Sequence, residues 1–236
     1  MILKKWDDLP DFMRIPEVKP YYDILNKKRI SLFFKRAFDV IVGVLMLLIL
    51  SPVFLILAIA IKIDSKGPVF YRQIRITQYG KEFRIHKFRT MCDGADKKGT
   101  LVTVGNDARI TRVGRVIRKC RLDEISQLID VIAGNMSFVG TRPEAVRYVK
   151  NYRPEYYATL LLPAGVTSEA SIRFKNEDDL LKCADDVDLL YVEKVLPQKM
   201  KWNLSEIKKF SFWRDVRIMV LTVIAVLSKK NDEEVE

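Results

Sequence analysis

From Val40 to Ile61 the chain carries no charge, and Ser51 is its single hydroxyl. No other stretch limits the fold as much. At about 1.5 Å per residue it makes roughly 33 Å of helix, close to the hydrocarbon thickness of a bilayer. It begins too far into the chain, and lacks the small-residue cleavage site, to read as a cleavable secretory signal. Two features argue against a straight crossing. Ser51-Pro52 lies at the midpoint, and a proline removes the bond to the Leu48 carbonyl, so a kink is expected. Basic residues occupy both flanks: Lys27, Lys28, Arg29, Lys35 and Arg36 before, Lys62, Lys66, Arg72 and Arg75 after. Positive residues prefer the cytoplasmic side, so a span would misplace one cluster. A helix–break–helix that enters and leaves by one face keeps both clusters in the cytoplasm. The sequence therefore predicts a re-entrant membrane hairpin over residues 31–64.

The remainder reads as soluble and mixed. Residues 1–30 are polar, carry Pro10, Pro16 and Pro20, and read as a surface arm. Residues 65–236 read as one α/β domain. Pro68–Tyr71 and Glu82–His86 form two short strands joined through Gly80, and Asp93 to Gly105 is a loop. Leu122 to Ile132 is helical, with Leu122, Ile125, Ile129 and Ile132 as its apolar stripe. Asn151 to Leu162 is also helical, ended by Pro163-Ala164-Gly165. A final apolar helix runs from Phe212 to Leu227, its charge-free part too short to cross a bilayer and suited to the core or the interface. The fold class is thus a compact mixed domain, a short β-hairpin or sheet with amphipathic helices around it, anchored by the N-terminal hairpin.

Cysteine and histidine usage narrows the chemistry. Cys92, Cys120 and Cys183 are odd in number and far apart, which excludes a disulfide scaffold and suits a reducing compartment. His86 is the only histidine, so no site needing two imidazoles is available. On a strand it shares the side of Phe88 and reads as a satisfied core or rim histidine. Neither a G-x-G-x-x-G nor a G-x-x-x-x-G-K-[ST] loop is present.

What stands out is cationic. Forty-one Lys and Arg against 30 Asp and Glu give a net charge of +11. Arg109, Arg112, Arg115, Arg118, Lys119 and Arg121 lead directly to Asp123 and Glu124, and Arg142 follows. An acidic pair in the first turn of a helix is ordinarily a complement to the helix dipole. Carboxylates among this many cations stay ionised, ready to act as nucleophile or metal ligand, and arginines match phosphate oxygens two-pronged. Lys87 and Arg89 share one face of a strand, and Pro143 holds the turn that carries Arg142. A phosphorylated substrate at a membrane surface fits this pattern. A membrane-tethered nucleic-acid-binding protein is the alternative suggested by the charge, but no aromatic-studded strand accompanies it, and Asp123 and Glu124 lie where phosphates would pass. A basic face that only holds anionic lipid is the third reading.

The motifs occur in one order: Lys35-Arg36-Ala37-Phe38-Asp39, Ser51-Pro52, Gly67-Pro68-Val69-Phe70, Lys87-Phe88-Arg89-Thr90-Met91, Arg109-Ile110-Thr111-Arg112-Val113-Gly114, Arg121-Leu122-Asp123-Glu124, Gln127-Leu128, and Met136 through Glu144. From Ser31 to Leu227 the chain resembles the bacterial sugar transferase family, the small monotopic phosphoglycosyl transferases. The extra N-terminal membrane domain of larger members has no counterpart, so the chain resembles the minimal catalytic form. The resemblance implies that Asp123 attacks the β-phosphate of a UDP-sugar, releases UMP and holds the phospho-sugar until undecaprenyl phosphate accepts it, with Glu124 as its dyad partner. It implies Mg2+ as cofactor with Asp123 as ligand. Lys87, Arg89, Arg109, Arg118 and Arg142 would bind phosphate, while Pro143 and Glu144 position the loop. Arg36 and Asp39 would set the hairpin at the interface, and Ser51-Pro52 would break it. The implied location is the cytoplasmic face of a bacterial inner membrane, with the domain at 65–236 catalytic, lipid as a further partner and no nucleic acid. Monomer and homodimer are both left open. Three positions depart from the family pattern: Thr141 replaces the first proline of Pro-Arg-Pro, Ala108 the proline of Asp-Pro-Arg, and Ala164 is inserted after Pro163. The sugar and the glycan pathway are not legible.

Overall fold

The computed structural model describes residues 3–95, 107–174 and 187–232. Most of the predicted loop at Asp93–Gly105, and Cys183, lie outside them. Helix α1 (Lys19–Asn26) leads into α2 (Arg29–Asp64), followed by strands β1 (Phe70–Ile76) and β2 (Glu82–Phe88), then α3 (Arg112–Lys119). A 3-10 segment, Leu122–Gln127, runs into α4 (Leu128–Ala133), β3 (Met136–Val139) and α5 (Val146–Val149). A second 3-10 segment, Pro154–Leu161, precedes β4 (Ala164–Thr167), α6 (Glu169–Arg173) and α7 (Val187–Leu190). A π-helical turn, Tyr191–Val195, opens into α8 (Leu196–Lys208), and α9 (Phe212–Asp232) follows. β1 and β2 pair antiparallel, with Tyr71 opposite Lys87, while β3 and β4 pair parallel, with Met136 opposite Ala164. This is a mixed helix-and-sheet fold with small sheets and one long apolar helix near the N-terminus.

Three expectations change. The first thirty residues are not a surface arm: Leu3, Leu9, Met13, Val18, Tyr22 and Leu25 are buried in the main core with Leu161, Leu196 and Met200. Their polar neighbours face outward, and that interleaving lets a polar stretch contribute a full side of core. The region from Leu122 starts as a 3-10 turn, not an α-helix, because Arg121 takes a left-handed φ of 52°. Burial there falls on Ser126, Gln127, Leu128, Asp130 and Val131 instead of the predicted apolar stripe. The segment at Pro154–Leu161 is likewise 3-10.

α2 is continuous for 36 residues with Pro52 inside it. The expected loss at the Leu48 carbonyl is repaired locally, since the Ser51 hydroxyl donates to that carbonyl at 2.8 Å. In a hydrocarbon environment an unpaired carbonyl costs several kcal/mol, and the Ser-Pro pair supplies its own replacement donor. Only 11% of the most apolar window of α2 is buried, unlike the core helix of a soluble protein. Its two ends grip one domain. Near the start, Arg36 donates to the carbonyls of Val131 (2.6 Å) and Ile132 (2.8 Å), closing the C-terminal end of α4. Lys35 is buried against Asp215 of α9, and Asp39 accepts from the Phe138 amide. Near the end, Leu57 and Ile61 pack with Phe88 and Ile117, and Asp64 accepts from the Val113 amide at the head of α3. Between these contacts Leu45, Leu48, Ile49 and Pro52 face outward.

Candidate active site

The acidic pair sits where three pieces of chain converge. Strand β2 brings Lys87, the 3-10 turn brings Asp123 and Glu124, and the turn after β3 brings Arg142. The 3-10 turn is stitched to β2 by Ser126, whose hydroxyl donates to the His86 carbonyl at 3.0 Å and lies 3.2 Å from the Asp123 carbonyl. Asp130 completes the seam, accepting from the His86 amide at 2.8 Å and lying 2.9 Å from its ring Nδ1. His86 is thus satisfied structurally, as its position on the strand implied. The turn carrying Arg142 is held from the other side. Gly140 donates to the Thr167 carbonyl and Gly165 to the Thr141 carbonyl, so the carbonyl of Thr141 is fixed where a proline would have stiffened the chain. A Cβ on Gly165 would come within 2.2 Å of Gly140 backbone atoms, so no other residue permits this approach.

Within this frame the two carboxylates differ. Glu124 accepts from Lys87 Nζ at 3.0 Å and from both terminal nitrogens of Arg142. Burial alone would raise its carboxyl, but Arg142 and Lys87 outweigh that and hold it well below the usual range. Asp123 shifts the other way: burial and the Glu124 charge raise it, with Lys87 and Arg118 opposing. The sequence reading keeps both carboxylates ionised among these cations, and within that setting the two shift in opposite directions. Among the described residues no other side chain bonds to the Asp123 carboxylate. One carboxylate is fixed and the other is free.

The remaining predicted residues separate into those around the pair and those elsewhere. Arg118 stays close, its charge reaching both Asp123 and Asp107, and its Nη1 is buried with no hydrogen-bond partner among the described residues. Arg109 is engaged with Asp107, donating from Nε at 2.9 Å and from Nη2 at 2.6 Å, and its Nη1 donates to the Ala95 carbonyl. That pairing pulls Asp107 down to about 2. Arg89 is displaced from its expected role. It is buried, and its guanidinium closes the end of α2 by donating to the carbonyls of Ser65 and Lys66, both at 2.7 Å. A left-handed or extended chain end leaves carbonyls open, and a strand-end arginine fills that need. Pro143 offers its carbonyl to Arg75 at 3.4 Å, and Glu144 is buried against Tyr191. Ser126 and Asp130 escaped the sequence reading. The only available signal was a polar residue inside a segment whose neighbours are apolar.

No group of three or more His, Cys, Asp or Glu residues suited to a metal occurs among the described residues. A single free carboxylate oxygen, such as that of Asp123, is the donor a magnesium ion shared with a diphosphate needs, because that ion commonly keeps waters and binds through one or two carboxylates plus substrate phosphate.

The structure thus sets a carboxylate dyad ringed by cations on a domain that grips a long, largely exposed apolar helix at both ends. Residues 30–229 match the family model described as Bacterial sugar transferase, and the chain belongs to that family. Over 213 residues it is 36% identical to a UDP-glucose:undecaprenyl-phosphate glucose-1-phosphate transferase of Klebsiella pneumoniae, covering 89% of this chain and 43% of that one. It is 34% identical over 199 residues to a UDP-N-acetylgalactosamine-undecaprenyl-phosphate N-acetylgalactosaminephosphotransferase of Aeromonas hydrophila, covering 83% and 44%. The chain therefore spans less than half the length of these two relatives. It is 38% identical over 207 residues to an exopolysaccharide production protein of Rhizobium leguminosarum bv. phaseoli, covering 84% and 98%.

Proposed function

We propose that this chain transfers a sugar-1-phosphate from a UDP-sugar to undecaprenyl phosphate, with Asp123 as the covalent carrier, in the assembly of a bacterial glycan. The observation that carries the reading is the division within the dyad: Glu124 is locked by Lys87 and Arg142, while the Asp123 carboxylate has no side-chain partner among the described residues. In the first step an Asp123 oxygen attacks the β-phosphorus, an O–P bond forms, and the bond to the bridging oxygen breaks as UMP leaves with the electron pair. In the second, an oxygen of undecaprenyl phosphate attacks the same phosphorus and returns the carboxylate. A carboxylate nucleophile needs no general base in the first step. The main obstacle is bringing an anion to a diphosphate, and Lys87, Arg118 and Arg142 oppose that repulsion in a partly buried site. Asp123 would hold Mg2+, which supplies further neutralisation of the diphosphate when bound.

The same reading puts α2 in the membrane as a re-entrant element at the cytoplasmic face. In support, both ends of α2 pack on one domain, and exposed apolar side chains line the helix between them, from Ile41 through Leu48 and Ile49 to Ile59. α9 adds Trp213, Val220 and Ile224 to the outward apolar surface, and its Phe212 ring packs on Phe38 of α2 at 5.6 Å. The polyprenol chain would then reach the dyad from the bilayer. The test is to mix the protein with a panel of UDP-sugars and Mg2+ without any lipid acceptor. The expected result is a burst of UMP of up to about one equivalent per enzyme, abolished by EDTA. UMP release that strictly requires undecaprenyl phosphate would contradict the covalent route.

A further inference from the structure

Arg142 belongs to a turn, and turns need something to hold them. Glu144, two residues on, is 7% exposed and reaches away from solvent into a second polar cluster. Its Oε1 accepts from the Tyr191 hydroxyl at 2.6 Å, and that hydroxyl in turn accepts from Lys199 Nζ at 3.1 Å. Lys199 Nζ also lies 3.8 Å from Glu144. Both Tyr191 and Lys199 are 5% exposed. On the near side, the Arg75 guanidinium lies close enough to both Glu144 and Arg142 to feel their charges, and donates to the Pro143 carbonyl. Hydrogen bonds therefore run from Lys199 through Tyr191 to Glu144, which shares its turn with Arg142, and Arg142 in turn bonds Glu124.

Two physical considerations separate this cluster from ordinary packing. Taking a carboxylate, a phenol and an ammonium out of water costs several kcal/mol even when paired, and well-packed apolar residues would hold the same volume at no such penalty. The helix is also distorted where the cluster forms. Residues 191 and 199 are eight apart, which in a regular α-helix puts them about 80° apart around the axis. The π-helical turn at Tyr191–Val195 takes up one extra residue, reducing the offset to about 20° and aligning both side chains on one face. The alignment is what lets Lys199 meet the Tyr191 hydroxyl.

We infer that Tyr191 and Lys199 are positioning residues for the transfer reaction: through Glu144 they fix the turn that aims Arg142 at Glu124. The inference rests on the function proposed above. The experiment is a double-mutant cycle on UMP release by the full chain in detergent, with Tyr191→Phe, Arg142→Lys and the pair together, and thermal unfolding of each. Tyr191→Phe keeps the ring and removes one hydrogen bond to a charged group, so about a tenfold fall in kcat is expected. In the Arg142→Lys background the same change should cost less than about twofold, because the guanidinium it serves is gone. Lys199→Met repeats the test should Tyr191→Phe not fold. Unchanged kcat in both single variants overturns the inference. So does an equal loss in both backgrounds, which marks a merely structural role. Absence of UMP release from the unaltered protein with any UDP-sugar would instead defeat the function itself.

Discussion

Two carboxylate pairs in this molecule share a plan and differ in balance. At the dyad, Asp123 and Glu124 face Lys87, Arg118 and Arg142, so cations outnumber acids. At the junction of α2 with α9, Lys35 bonds Asp215 Oδ2 at 2.5 Å and the Val139 carbonyl at 2.8 Å, while Asp39 accepts from the Phe138 amide. Among the described residues, Asp39 Oδ2 is buried without a hydrogen-bond partner, and no other side chain bonds the Asp123 carboxylate. The dyad is partly open and net positive, so an arriving anion completes it. The junction is sealed, and its charges join helices.

Substitutions can break that contrast. The largest effect is expected from Asp123→Asn: UMP release should fall by at least about a thousandfold while the unfolding temperature is unchanged, measured by nucleotide assay and calorimetry. Lys35→Met should do the reverse. It leaves the buried Asp215 without its ammonium partner and should cost on the order of 3 kcal/mol of stability in chemical denaturation, with UMP release per folded molecule retained. Glu124→Gln comes next. Lys87 and Arg142 lose their anionic partner, and a loss of about ten- to a hundredfold in kcat is expected with little change in stability.

The smallest effect lies in pH dependence beside the junction. Burial pushes the Glu206 carboxyl up from about 4.5 to about 7, with Glu169 and Asp215 adding to the rise. An acid whose folded value is raised favours the folded state fully below its unfolded value, and that contribution is lost as pH rises through about 7. The protein should therefore lose stability between pH 5 and 8 from this group, and Glu206→Gln should flatten the profile. A profile equally steep in the variant would assign the pH effect elsewhere.

The sequence made the chemistry easier to read than the architecture. Asp123, Glu124, Lys87 and Arg142 were identifiable because residue type and order carry the information, and the structure brings them together. The apolar helix was legible from the absence of charge. The 3-10 start at Leu122 was not, because it depends on the left-handed Arg121, a backbone choice with no glycine to announce it. The buried N-terminal segment was hidden by averaging, since its core residues are spaced among charges. Arg89 was misjudged because a cation on a strand beside Lys87 has the same sequence signature whether it meets phosphate or caps a helix. Which carbonyls lie within reach is a tertiary fact.

The most direct measurement is the intact mass of the protein after mixing with Mg2+ and a reactive UDP-sugar, without undecaprenyl phosphate. The account expects a single added phospho-sugar, localised to Asp123 by peptide mapping, lost when the lipid phosphate is supplied and absent from Asp123→Asn. Turnover to lipid-linked product with no added mass at any time, or an adduct that persists in Asp123→Asn, would contradict it.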